Sequence, residues 1–116
     1  MPSSPHRPLR SVELHILLSV VDQPRHGYAI LQEAEERTEG RPGFEIPTLY
    51  RALRRLRDEG MICVADAPDH ELDQRREYWS ATEVGRRALR AEMARMEVAL
   101  EIGRVRLCDA GTGGSG

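Results

Sequence analysis

Residues 47–60 read P-T-L-Y-R-A-L-R-R-L-R-D-E-G, and the fold turns on them. Pro47 suits the first turn of a helix, because the amide it lacks would have no partner there, and Gly60 is a natural stop. The spacing predicts a helix over residues 47–59. At 3.6 residues per turn Leu49, Ala52, Leu53 and Leu56 share one face, while Arg51, Arg54 and Arg55 project from the other with Thr48 and Arg57 beside them. Four arginines and no acidic residue occur from Pro47 to Arg57. Residues 46–59 carry a net charge of +2, whereas residues 26–45 and 60–81 carry −3 each. The 116-residue chain as a whole carries −2, so a surface for a polyanion has to be local, and this helix is where positive charge gathers.

Upstream, Leu14, Leu17, Leu18 and Val21 recur at helical spacing behind Ser11, a candidate N-cap, with Pro24 beyond the end. After the breaker Gln23-Pro24-Arg25-His26-Gly27, the stripe Ile30, Leu31, Ala34 predicts a second helix ending near Gly40. Its Glu33, Glu35, Glu36 and Glu39 are expected to face water. Residues 40–43 are expected to form a turn. Downstream, residues 61–65 (M-I-C-V-A) and 77–81 (E-Y-W-S-A) lack helical periodicity and predict two antiparallel strands, joined by a polar connection containing Pro68. Ser80 and Glu83 match a capping box, with Thr82 an equal candidate for the cap, and no proline follows. A long last helix over about residues 83–106 completes the order.

The expected fold is therefore mainly α with a small β-hairpin: a winged helix-turn-helix, α-α-α-β-β, plus one long C-terminal helix. It divides into a disordered arm (1–10), a winged-helix domain (11–82), a C-terminal helix (83–108) and a flexible tail (109–116). In such a domain the third helix enters the DNA major groove and the hairpin lies along the backbone. Arginine suits that helix, since its planar fork bonds bidentately to guanine and equally to phosphate. Thr48 adds a hydroxyl at the helix start. A lone R-x-x-R-R-x-R face is otherwise explained as a solvated surface, and the winged context is what favours DNA. Arg75 and Arg76 are placed to meet the adjacent backbone, while Asp66, Asp69, Glu71 and Asp73 should turn the wing tip away from phosphate.

Three segments resemble the PadR-type bacterial transcriptional regulators: His26-Gly27-Tyr28-Ala29-Ile30; Thr48 to Leu56 followed by Glu59-Gly60-Met61-Ile62; and Tyr78 to Arg86, where the wing joins the last helix. The family usually has Tyr in place of Trp79, Leu in place of Ala81, and a more basic wing. The resemblance implies a homodimeric repressor whose C-terminal helix builds the dimer, with short members answering to small aromatic or amphipathic effectors. It also places Tyr28 and Tyr50 near the DNA.

On the last helix Leu89, Met93, Met96, Leu100, Gly103 and Leu107 form a seam at coiled-coil spacing, with Arg and Glu on the other faces, and this seam is the expected dimer interface. Leu14 and Leu18 of the first helix are the alternative contact. Trp79, Met93 and Met96 are the candidate effector contacts, although a Trp on a wing strand is more often half-buried packing and Met at helical spacing more often ordinary interface. The four histidines, at 6, 15, 26 and 70, share no i, i+4 spacing and adjoin no cysteine, so no metal site is expected, and His26 reads as a loop or cap residue. Motifs for hydrolysis or nucleotide binding are missing, which predicts no enzyme and no cofactor. Cys63 and Cys108 read as reduced thiols, one in a strand and one in the tail. With neither a spanning apolar run nor a signal-like start, a cytoplasmic protein with no membrane partner is expected. The alternative to DNA binding is a winged-helix module for protein–protein assembly.

Overall fold

The computed structural model describes residues 7–39, 44–68 and 76–114. In chain order its elements are α1 (Ser11–Val20), β1 (Arg25–His26), α2 (Gly27–Arg37), α3 (Ile46–Asp58), β2 (Ile62–Ala65), β3 (Tyr78–Ala81) and α4 (Glu83–Gly114). The winged helix-turn-helix with its long last helix is thus the observed architecture. α3 starts beside Pro47 in its first turn and is followed by Gly60 at φ +77°, a left-handed conformation that favours glycine. One core joins Val12, Ile16, Leu17 and Val20 of α1, Ile30 of α2 and the predicted apolar face of α3 to Met61, Ile62, Trp79, Ala88 and Leu89.

Three local expectations are corrected. The buried face of α1 is Val12, Ile16, Leu17 and Val20, while Leu14, Leu18 and Val21 lie at the margin of the core. This helix is apolar on most sides, so periodicity could not choose its inner face, and packing against α2, α3 and α4 did. Its N-cap is Arg10 rather than Ser11, with the Arg10 amide donating to Glu13 Oε1 at 2.8 Å. The sheet has three strands, not two, in the order β1-β3-β2. Arg25 pairs with Trp79 and His26 with Tyr78, inside the stretch read only as a breaker. Two residues are too short to show an alternation. Arg25 is held there by its own bond to the Ser19 carbonyl (2.7 Å), and the pairing covers an open edge of β3.

Between β3 and α4 the capping ambiguity is resolved in favour of Thr82. Its hydroxyl donates to the Gly60 carbonyl and accepts from the Gly85 amide (3.1 Å), and its amide donates to the Met61 carbonyl (3.0 Å). Gly85 is required by close approach: a Cβ there would stand 2.0 Å from the Met61 carbonyl oxygen. The start of α4 is thereby locked onto the turn that follows α3.

Beyond this joint α4 leaves the domain. Residues 93–102 and 104–109 are exposed, and the molecule measures 60 × 39 × 25 Å. Its radius of gyration, 17.2 Å, exceeds the ~13 Å of a compact chain of this length. The helix runs on to Gly114, past the expected end at 106–108, because nothing there removes a backbone donor, and Cys108 consequently sits on the helix. At the other end, residues 7–10 are not a disordered arm. Leu9 packs on the core and Arg7 is held by ion pairs, described next. Residues 1–6, the expected turn at 40–43, and the wing residues Asp69, Glu71, Asp73 and Arg75, lie outside the described residues.

Candidate nucleic-acid interface

The two faces of α3 separate sharply. Leu49, Ala52, Leu53 and Leu56 are no more than 1% exposed, whereas Tyr50 (45%) and the side chains of Arg51, Arg54 and Arg57 face solvent. At 100° per residue Arg51 and Arg54 lie at the middle of the open face, Tyr50 and Arg57 on one flank, Thr48 and Arg55 on the other. Arg51 Nη2 also donates to Thr48 Oγ1 (3.3 Å). Tyr50 packs over the start of α2, where a Cβ on Gly27 would come within 2.7 Å of its phenol oxygen. Tyr28 beside it is 54% exposed.

The base of the wing closes on the same patch. The Arg76 guanidinium stands over the Tyr28 ring, 5.8 Å from its centre, and lies 3.3 Å from both ring nitrogens of His26. His26 is the N-cap of α2, accepting from the Ala29 amide at 3.1 Å. Together with Tyr50, Glu77 and Trp79 these residues line a cavity of about 330 Å³. Of the residues singled out in the sequence, Tyr28, Tyr50 and Arg76 are therefore brought to one site, with Arg51 and Arg54 on the adjoining helix face. Trp79 is 4% exposed and lies within the core.

Arg55 is placed differently. Its Nε donates to Glu13 Oε2 (2.7 Å) across the α1–α3 interface. Glu13 is fully buried and also accepts from Arg7 through both oxygens (2.8 and 2.7 Å). Arg7 further pairs with Glu59, just past α3, at 3.0 Å. Burial alone would push the Glu13 carboxyl up, and hydrogen bonds from Arg7, the Arg10 amide and Arg55 outweigh it, bringing it down to about 2 from 4.5. Nothing in the sequence marks this residue, since a Glu amid an apolar stretch reads as a surface position.

The folded-state pKa of Glu13 is the lower one, so between the two values the unfolded chain binds the extra proton. The stabilisation is complete above about pH 4.5 and is lost as pH falls through about 2. Glu13→Gln should therefore be less stable than the wild type at neutral pH, with the difference narrowing over that window in urea unfolding curves. A gap of constant size down to pH 2 would assign the acid sensitivity to other carboxylates.

On α4 the expected seam divides. Leu89 is buried in the chain's own core, while Met93, Met96, Leu100 and Leu107 are exposed and Gly103 is half-buried. Met96, Leu100, Gly103 and Leu107 line a shallow groove separate from the cavity at Trp79, so Trp79 does not share a site with Met96 within one chain. A second exposed apolar stripe, Val98, Ile102 and Val105, occupies the opposite side. Its i, i+4, i+7 spacing was visible in the sequence, which had assigned those faces to Arg and Glu. Among the described residues no cluster of three His, Cys, Asp or Glu could hold a metal ion, and no helix is long and apolar enough to cross a membrane.

A three-helix core, a short winged sheet and a basic third helix define the winged-helix class. Within that class the chain belongs to the PadR-like transcriptional regulator family, whose sequence model matches residues 16–91. No curated protein matches it. Its fold is similar to that of a PadR family transcription regulator from hypervirulent Clostridium difficile R20291, with 20% identity, a TM-score of 0.73, and coverage of 84% of this chain and 99% of that one. A PadR-like transcriptional regulator from Bacillus cereus is similar at 18% identity and a TM-score of 0.71, over 83% and 90% of the two chains. Bacillus subtilis PadR in complex with operator DNA is similar at 20% identity and a TM-score of 0.60, over 72% of this chain and 47% of that one.

Proposed function

We propose that this regulator binds double-stranded DNA as a homodimer in the cytoplasm and represses transcription from a palindromic operator. The observation that carries the reading is the division of α3, with its apolar face buried and Tyr50, Arg51 and Arg54 open to solvent. Arg51 and Arg54 are the groove contacts. Tyr28, Thr48, Tyr50, Arg57, Arg75 and Arg76 hold the flanking phosphates, which fixes register without reading sequence. Arg55, also expected at the groove, is assigned instead to orienting α3 through Glu13. The B. subtilis PadR complex with operator DNA, on a similar fold, supports the choice of partner. Dimerisation uses Met93, Met96, Leu100, Gly103 and Leu107, with Leu14 and Leu18 on the margin of α1 as the alternative contact. A small aromatic or amphipathic effector would act at this seam, where Met93 and Met96 can re-pack around a guest.

Gel shifts on the DNA upstream of the protein's own gene test the reading. Log affinity should fall linearly with log salt, with a slope of about −0.9 per phosphate neutralised. Arg51→Ala with Arg54→Ala should weaken operator binding by about 1–3 kcal/mol for each residue that contacts a base edge. An unchanged affinity would remove α3 from the groove. Failure of the wild type to bind any DNA would leave the protein-assembly reading.

A further inference from the structure

We propose that residues 7–10 are a strap that fixes the direction of α4 relative to α3, making Arg7, Glu92 and Arg95 positioning residues for the half-site spacing that the dimer reads. The inference rests on the DNA-binding reading above and adds a specificity determinant to it.

α4 is attached to the winged domain at its start through Thr82 and Gly85 and, within the next turn, through buried Ala88 and Leu89. Attachment confined to the first two turns leaves the long remainder free to tilt. The strap adds a polar tie ten residues beyond Thr82, about 15 Å along at 1.5 Å per residue. The Leu9 amide donates to Glu92 Oε1 (2.9 Å), and Arg95 Nη2 donates to the same oxygen (2.6 Å) and to the Arg7 carbonyl (3.4 Å). From that same residue the Arg7 side chain reaches the other way. It bonds Glu59 (3.0 and 3.2 Å) at the end of α3 and shares buried Glu13 with Arg55. The backbone of one short segment is thus tied to the dimer helix, and its guanidinium to the recognition helix.

The leverage is large. A tilt of about 10° at the Thr82 joint would displace Leu107, roughly 37 Å along the axis, by ~6 Å. Two recognition helices have to sit about 34 Å apart to enter successive major grooves on one side of the duplex. A displacement of that size in each protomer moves them out of register.

Cys63 on β2 and Cys108 on α4 are both exposed, so spin labels on them report the angle between α4 and the wing in the full chain, diluted with unlabelled protein. The wild type should give one narrow distance distribution, and Arg7→Met and Glu92→Ala broad ones. With operators whose half-sites are moved by one or two base pairs, the wild type should bind one spacing at least about tenfold better than its neighbours. The variants should reduce that preference to within about threefold at an unchanged salt slope. A strap that merely stabilises the fold would lower the melting temperature and leave both readouts as in the wild type. Arg7→Met removes a partner of buried Glu13; should it fail to fold, Glu92→Ala, which leaves that cluster intact, decides. A folded Glu92→Ala protein with a narrow distribution overturns the proposal. Absence of DNA binding by the wild type overturns the reading beneath it, and the label distances still judge the strap.

Discussion

Gly85→Ala should lower the melting temperature by roughly 12–24 °C. Alanine favours a helix over glycine by about 1 kcal/mol, so propensity alone predicts a gain. The added methyl, however, would lie 2.0 Å from the Met61 carbonyl oxygen and 3.2 Å from a methyl of Leu17. The near neighbour is backbone and already accepts the Thr82 amide, so relief requires α4 to lift off the turn after α3. Overpacking of this kind costs about 1–3 kcal/mol and more where both sides are backbone. A net loss of about 3 kcal/mol corresponds to that temperature shift at 4–8 °C per kcal/mol. A melting temperature equal to the wild type's would mean that α4 does not dock on Met61.

Leu100→Glu should convert the protein to a folded monomer whose operator affinity is reduced by about 100-fold or more, the usual gain from joining two binding modules. Leu100 is 52% exposed in the single chain, so the substitution leaves the winged core untouched and the circular dichroism spectrum unchanged. In a dimer closed by the α4 seam it would place two carboxylates in one apolar contact. Sedimentation reads the result directly. An unaltered dimer would move the interface to the margin of α1, at Leu14 and Leu18.

The parts of this molecule that could be read in one dimension are those where a single element carries an unambiguous pattern. α3 has four apolar residues on one side and arginines on the other, so its inner face follows from helical geometry without reference to any neighbour. α1 has no such contrast. Its apolar residues surround the axis, and the stripe Leu14, Leu17, Leu18, Val21 is as regular as the one that is buried. The arginines of α3 look alike in the sequence, yet Arg54 faces solvent and Arg55 is turned to a buried carboxylate. The difference depends on Glu13, 42 residues away.

The amino-acid order determined the three helices, the hairpin and the last helix, the basic face of α3 and the stop at Gly60, because each depends on residues within a few positions of one another, through hydrogen-bond patterns, side-chain periodicity and fixed backbone dihedrals. Tertiary structure decided the third strand at Arg25–His26, the choice of Thr82 as cap, the clamp on Glu13 and the strap from Arg7 to α4. These depend on groups brought together from distant parts of the chain. A two-residue strand has no period, and a buried carboxylate is tolerated only where arginines from separate segments converge on it.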